Sequence, residues 1–544
     1  MRDFLNDMRL RIFTSIVALA MLLVGYDATA QDKRPKLVVN IVVGSMRAQD
    51  LERYADGFGD GGFKRLMREG VNFTDAEYDY ALTSTEAGLA TLATGAQPSV
   101  HGVIGRSWWS HTDGSRHDII ADKKSHPVPF STGAVSCSPH RLQAPTLGDM
   151  VVDGTDGGKQ ITIAIEPYSA IVLNGRRGVA YWVERNKTYW TTCAAYAASL
   201  PEWVARYNSD GANAFYRIDR WVPKGNIANY KNNEVAVVEE IKGKTTKLLS
   251  DVDLDLDNSA YGHMCYTPAG NTMLFEFASQ AVAQERLGSD AATDVLNICL
   301  DTPRYIAETY GPESIEYEDM LYRLDAALAE FLTYIYAQVG GKDNAIVVLT
   351  SDHGTAPSYN PQGGTQRERF NTRQMEVIVN AFLGAHHGSG EYLLGFANNA
   401  LYLDHELLLE KKLSVETIQE EVATFLLQLR GVSTAISATA LRNTSFGEGR
   451  MRLVQQSFFS TRSGDVIIDF MPGWMVESTD YRSTSHTGYR YDRSVPLIIS
   501  GGGLAPQSIA RTVSIVEVAP TIAEIIGVES PWASSSRPIK EINN

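Results

Sequence analysis

The apolar positions of this chain fall into two patterns. Short β-branched runs read as strands buried on both faces: Lys36 to Val43 (KLVVNIVV), Gln160 to Ile165, Val295 to Leu300 and Asn344 to Thr350 (NAIVVLT). A further short strand is expected at Val495 to Ser500. Between the strands lie stretches with helical spacing. From Ser314 to Val339, Tyr317, Leu321, Leu324, Leu328, Phe331 and Ile335 recur every three or four residues and lay one apolar stripe along a helix. Gly62 to Glu69 also reads as helical, and Tyr78 to Thr94 passes from a loop into a small-residue helix that begins around Thr85. Strands alternating with helices predict an α/β fold, a mostly parallel central sheet with helices on both faces.

Two stretches look like cap segments inserted into that core. Residues 176–270 are rich in Trp, Tyr, Asn and Gly; residues 372–480 contain a helix near Val415 to Leu429 and a strand near Asp465 to Phe470. With no internal repeat or low-complexity segment, the expectation is a single domain over residues 31–540 carrying these insertions. Residues 1–30 read as a secretion signal. Arg9 and Arg11 precede the apolar run Ile12 to Gly25, and Ala28-Thr29-Ala30 supplies small residues before Gln31. The run is too short to span a membrane comfortably, which favours cleavage over anchoring, and no later segment is long enough to span. Met8 is an alternative start, because Met1 to Asp7 places two acids ahead of a region that should be basic. The destination is the periplasm or the medium.

Composition changes this picture little. The 544 residues are 44% hydrophobic and 21% charged, ample for a large core, with a net charge of −15. Loss of residues 1–30 removes Arg2, Arg9 and Arg11 together with Asp3, Asp7 and Asp27, so the charge is unchanged. An acidic chain of this kind is a poor partner for nucleic acid or an anionic membrane, and a monomer is expected. Cys137, Cys193, Cys265 and Cys299 lack CxxC spacing, which argues against a cysteine zinc site and leaves disulfides and buried thiols both open.

Ligands of open α/β sheets sit at the carboxyl ends of the strands. That rule selects Gly44-Ser45, Glu166 to Ser169, Asp301 to Arg304 and Ser351 to Gly354, with His486 in a polar loop ahead of the last strand. Asp352 and His353, adjacent after a hydrophobic strand, can both reach a metal; the plain alternative is a polar strand-end turn. His486 is a further imidazole ligand or a solvated loop residue. Thr83 to Gly88 sets hydroxyls where a loop meets a helix N-terminus, a place that favours anions. Thr85 is a nucleophile there only where something such as a metal stabilises its alkoxide, and otherwise an N-cap.

Taken in order, these features resemble the alkaline phosphatase superfamily, in particular the bacterial monomeric, phosphate-irrepressible alkaline phosphatases. The resemblance runs from Pro35 to about Ile539 and includes Thr94-Gly95 to His101-Gly102, Ala180-Tyr181-Trp182, Leu200-Pro201-Glu202-Trp203, Tyr310-Gly311-Pro312-Glu313 and Ser463-Gly464-Asp465-Val466. It implies a three-layer α/β sandwich, two zinc ions, a Thr or Ser nucleophile, and an Asn, Lys and Arg that grip phosphate. Thr85 falls on the nucleophile, and Asp352, His353 and His486 on metal ligands.

The other positions depart from the pattern. Gly44, in Val42-Val43-Gly44-Ser45-Met46-Arg47, stands where the family has an Asp, and Arg304 and Glu308 stand where it has Asp and His ahead of Gly311-Pro312, so three of six protein ligands are missing. Arg106 replaces the Asn of the phosphate grip, and Glu166 and Tyr168 replace its Lys and Arg. The resemblance so amended implies a pseudophosphatase that binds a small anionic ligand or a protein partner. Its centre is expected to be metal-free or to hold zinc at one partial site, with Arg304 paired to Asp352 or Glu308, or joined with Arg106 in a new anion site. The alternative is an active hydrolase of phosphate mono- or diesters, with Thr85 as nucleophile, a rearranged metal site and Asp301 as a replacement ligand. A third reading is a purely structural exported protein.

Overall fold

The computed structural model describes residues 34–542 apart from 130–132, 185–188, 212–220, 233–239, 242–243, 246–264, 359–367 and 477–480. The expected secretion signal and much of the first insertion lie outside the described residues. Seven strands make the centre of an 11-stranded sheet: β1 (Leu37–Val43), β2 (Val71–Glu77), β3 (Gln160–Ala164), β4 (Val179–Glu184), β5 (Asp294–Leu300), β6 (Ala345–Thr350) and β7 (Ser494–Gly501), in the order β2-β7-β6-β1-β5-β3-β4. From β6 to β4 every pairing is parallel. β7 runs antiparallel to both of its neighbours.

The β-branched runs become strands because both faces of the sheet are covered. Leu37, Val39, Ile41 and Val43 of β1 enter one apolar cluster, and Val38 and Val42 enter the other. The single polar residue of β1 is accommodated by a ladder across three strands. Asn40 Nδ2 donates to Asn297 Oδ1 at 2.7 Å, and Asn297 Nδ2 donates to Thr162 Oγ1 at 2.9 Å, so the amide groups of this ladder are paired within it.

Four helices position the site: α1 (Thr85–Thr94), α2 (Pro167–Asn174), α3 (Thr302–Tyr310) and α4 (Ile315–Gln338). α4 begins where Ser314 accepts a hydrogen bond from the Tyr317 amide at 3.1 Å, with Glu316 and Glu318 in its first turn facing the positive end of the helix dipole. All six residues of its predicted stripe are buried at 3% exposure or less, each burial being worth about 1.5–3 kcal/mol for an aliphatic or aromatic side chain.

Residues 372–480, expected from the sequence to be an inserted cap segment, contain a sheet of their own. Leu393–Ala397, Ala400–Leu403, Val466–Phe470 and Val432–Ser437 pair antiparallel in that order. Helices Thr372–His387 and Val415–Leu426 cover it through a separate apolar cluster that includes Val379, Leu383, Val422 and Ile468. Among the described residues no helix is long and apolar enough to cross a membrane.

Candidate active site

Register brings the strand ends together. Val43 of β1 pairs with Leu300 of β5, and Val42 pairs with Thr350 of β6, so Gly44, Asp301 and Ser351 leave the sheet at one edge. Because β7 is antiparallel, its beginning lies at that same edge, which is how the loop carrying His486 arrives there. The Ser45 amide donates to Asp352 Oδ1 at 2.8 Å and the Met46 amide to Ser351 Oγ at 2.9 Å, with Ser45 held at a φ of 59°. The Asp352 carboxylate thus ties the β1 turn to the β6 turn through one oxygen. Its other oxygen, Oδ2, is buried without a hydrogen-bond partner and lies 3.5 Å from His353 Nε2.

His353 Nδ1 faces the Gly354 carbonyl at 2.6 Å. A carbonyl only accepts, so Nδ1 carries the proton and Nε2 presents a lone pair. That lone pair is 3.2 Å from Thr85 Oγ1. Thr85 is the first residue of α1, not its cap: Ser84 Oγ accepts from the Ala87 amide at 3.3 Å. The helix approaches so closely because of Gly88, where a Cβ would lie 1.8 Å from the Asp352 carbonyl oxygen. His486 docks by its backbone, its amide reaching Thr83 Oγ1 at 3.1 Å, and its exposed ring borders the cleft between the core and the inserted sheet.

The facing half of the edge is built from the replaced positions. Arg304, on α3, is largely buried and sends its guanidinium between Asp301 Oδ1 and Glu308 Oε1, each at 3.6 Å, and over the Tyr305 ring at 4.6 Å. It pairs with Glu308 as the sequence leads one to expect, and with Asp301 in place of Asp352. Desolvation opposes its charge, but Glu308, Tyr305, Asp301 and Glu166 outweigh that and hold its pKa well above the ordinary value. Burial lifts the pKa of Asp301 and of Glu308, against the pull of Arg304. Asp301 is further engaged by the amides of Ile165 (2.9 Å) and Glu166 (3.1 Å) and by Ser169 Oγ (2.6 Å). A Cβ at Gly44 would lie 2.9 Å from the Leu300 carbonyl oxygen and 3.0 Å from Arg304 Cβ.

The three positions of the phosphate grip also meet. Arg106 Nε donates to Glu86 Oε1 at 3.1 Å, its NH2 lies 3.6 Å from Glu166 Oε2, and its guanidinium sits 4.0 Å from the centre of the Tyr168 ring. Tyr168 OH in turn donates to Asp118 Oδ2 at 2.5 Å, and Tyr305 OH donates to Glu166. Sequence reasoning passed over Glu86, Tyr305 and Asp118; only Glu86 carried a signal, an acid directly beside the Thr85 hydroxyl.

This donor set does not fit a two-metal centre. Asp352 Oδ2, His353 Nε2 and Thr85 Oγ1 face one another. Positions 44, 304 and 308 offer a glycine, a guanidinium and a carboxylate already paired with that guanidinium, short of the three or four donors that zinc takes.

The sequence matches the family of type I phosphodiesterases / nucleotide pyrophosphatases over residues 38–490. The chain belongs to this family. The type I phosphodiesterase family lies within the alkaline phosphatase superfamily, and relatives of this chain bear that name. Alkaline phosphatase PafA of Elizabethkingia meningoseptica is 28% identical over 528 residues, 96% of this chain and 96% of its own length. Alkaline phosphatase PhoV of Synechococcus elongatus is 28% identical over 520 residues, 94% of this chain and 93% of its own. The crystal structure of wild-type PafA superposes with a TM-score of 0.88 at 27% identity, covering 94% of this chain and 99% of that one. The family fold is therefore present over nearly the whole chain.

Proposed function

We propose that this protein is an exported, alkaline phosphatase-like binding protein in which an arginine–carboxylate network replaces the metal pair: a pseudophosphatase. One observation carries the reading. Both guanidinium groups at the edge lie against the protein's own acids: Arg106 donates to Glu86 and lies near Glu166, and Arg304 sits 3.6 Å from both Asp301 and Glu308, its Nε and NH2 making no hydrogen bond. A phosphate dianion would meet five carboxylates at this edge, counting Asp352, beside the two arginines, and the like charges repel. A small anionic ligand must compete with Glu86 or Glu166 for Arg106, the more exposed of the two arginines. Export rests on the signal-like residues 1–30.

A second reading, hydrolysis of phosphate mono- or diesters, is favoured by the relatives named alkaline phosphatases, and more strongly than the first. Within the molecule the supporting observation is the Thr85–His353 contact, a hydroxyl 3.2 Å from an imidazole lone pair that can accept its proton. In that reading Thr85 is the nucleophile, and Asp352, His353 and His486 form a rearranged cation site.

One experiment separates the two. The purified protein is assayed with an aryl phosphate monoester and a bis-aryl phosphodiester, with and without added zinc. Turnover abolished by Thr85→Ala, with zinc lost on Asp352→Asn, establishes hydrolysis. No turnover on either substrate refutes hydrolysis and supports the binding protein.

A further inference from the structure

Away from this edge, His111, His405 and Asp465 converge, and their donor atoms all lie within 4.8 Å of one another. They come from different parts of the fold. His111 sits in the turn between the short strands Ser107–Trp109 and Arg116–Asp118, which belong to the core hairpin following Arg106. His405 and Asp465 belong to the inserted sheet, Asp465 directly ahead of the strand Val466–Phe470.

The protonation pattern suits a cation between them. His111 Nε2 faces the Ser463 carbonyl at 3.1 Å, so it carries the proton and Nδ1 presents a lone pair. That Nδ1 is buried, has no hydrogen-bond partner, and lies 3.6 Å from Asp465 Oδ2. A lone pair facing a carboxylate oxygen is repulsive, and 3.6 Å is too long for a hydrogen bond if the ring were protonated there. On the other side His405 Nε2 is 2.8 Å from Asp465 Oδ1, and the two imidazoles stack with centroids 4.7 Å apart.

We infer that His111 Nδ1, His405 Nε2 and Asp465 bind one zinc ion. Tetrahedral zinc with bonds of about 2.0–2.1 Å spaces its donors by about 3.3 Å; the imidazoles lie 2.8 Å from Asp465 Oδ1 and 3.6 Å from Asp465 Oδ2, and one donor atom from each residue falls within 4.8 Å of the others, so a small closure completes the site. Asp465 is 2% exposed and its carboxylate is aimed by the Leu403 amide (2.8 Å) and Gln419 Nε2 (2.7 Å), the outer-shell donors that fix a ligand in place. Two imidazoles with one carboxylate select zinc over magnesium or calcium, which take oxygen ligands, and water completes the fourth position. His405, a third exposed, provides the entry path and loses its Nε2 proton to solvent on binding. The ion clips the core hairpin to the inserted sheet, beside the existing bond from Asn398 Nδ2 to the Ser107 carbonyl at 2.8 Å, and so braces the segment that begins at Arg106.

The test strips the full chain with a chelator and titrates it with zinc alone by calorimetry, and with cobalt while recording visible d–d absorption. The expected result is one equivalent bound with a tetrahedral cobalt spectrum, weakened at least about tenfold in both His111→Ala and His405→Ala. The double variant Asp352→Asn/His353→Ala retains it, which separates this site from the strand-edge positions. Zinc raises the unfolding temperature of the wild type and not of His405→Ala, while a wild-type far-ultraviolet circular dichroism spectrum and a cooperative transition show that the variant folds. Absence of zinc binding, or a stoichiometry and affinity unchanged in both histidine variants, overturns the assignment.

Discussion

Replacing Arg304 with methionine keeps most of the apolar stem and removes the guanidinium that lies between Asp301 and Glu308. Truncating one partner of a buried ion pair typically costs about 3–5 kcal/mol, because the opposite charge stays buried without compensation. The separations of 3.6 Å to each acid, with Arg304 still 11% exposed, place this case at the low end, about 3 kcal/mol at pH 8. The pH dependence fixes the mechanism. Burial already raises both carboxyl pKa values above their unfolded values, and Arg304 pulls them back down. Without Arg304 the folded state holds those protons to higher pH than the unfolded chain does, so its stability falls as pH rises through that window. The deficit against wild type is therefore largest at pH 8 and shrinks towards pH 5, where protonation neutralises the acids. Urea unfolding followed by tryptophan fluorescence at both pH values, with matching slopes, measures it. A variant as stable as wild type at pH 8, or one with the larger deficit at pH 5, refutes the claim that Arg304 neutralises this edge.

Three further outcomes follow from the same structure. Gly44→Ala forces contacts of 2.9 Å with the Leu300 carbonyl oxygen and 3.0 Å with Arg304 Cβ; it should cost about 1–3 kcal/mol in the same urea assay, and a neutral result contradicts the close approach. Asp492 is fully buried, accepts hydrogen bonds from the Thr487 amide and hydroxyl, and leaves Oδ1 without a partner; desolvation pushes its pKa up to about 8. The folded state therefore holds a proton that the unfolded chain has released above about pH 4, wild type loses stability relative to Asp492→Asn as pH rises from there to about 8, at up to about 1.4 kcal/mol per pH unit, and parallel pH profiles for the two proteins would exclude this. Cys137 and Cys193 are buried with their thiols in mutual contact; protein exported to an oxidising compartment should expose two titratable thiols on denaturation, and Cys137→Ser should expose three, whereas four in the wild type would show that the pair stays reduced.

The strands and the long helix were legible because each has a simple period. β1, β3, β5 and β6 coincide with the apolar runs to within a residue or so at each end, and α4 follows its stripe from Ser314 onward. The edge of the sheet was legible too, since the ends of parallel strands lie together. What the sequence could not show was partnership. The three-residue spacing from Asp301 to Arg304 is that of helix neighbours, but it decides the pairing only once α3 is known to begin at Thr302, with the Asp301 carboxylate held by the amides of Ile165 and Glu166. Glu86 was passed over because its partner, Arg106, is twenty residues away and meets it only when α1 and the following hairpin pack. His111 and His405 look like isolated surface histidines in the text, and only the contact between hairpin and inserted sheet brings them to one carboxylate.

The contact at Gly44 bears on how such a site can change. The nearest atoms to an added side chain are the Leu300 carbonyl oxygen and the Arg304 Cβ, not the guanidinium. A Cβ is common to every residue except glycine, so shortening the side chain at position 304 leaves the obstruction in place. A carboxylate at position 44 therefore requires the backbone of α3 to move away from the end of β1. The exclusion of a side chain at position 44 is thereby set by the main chain, and not only by the side chains at this edge.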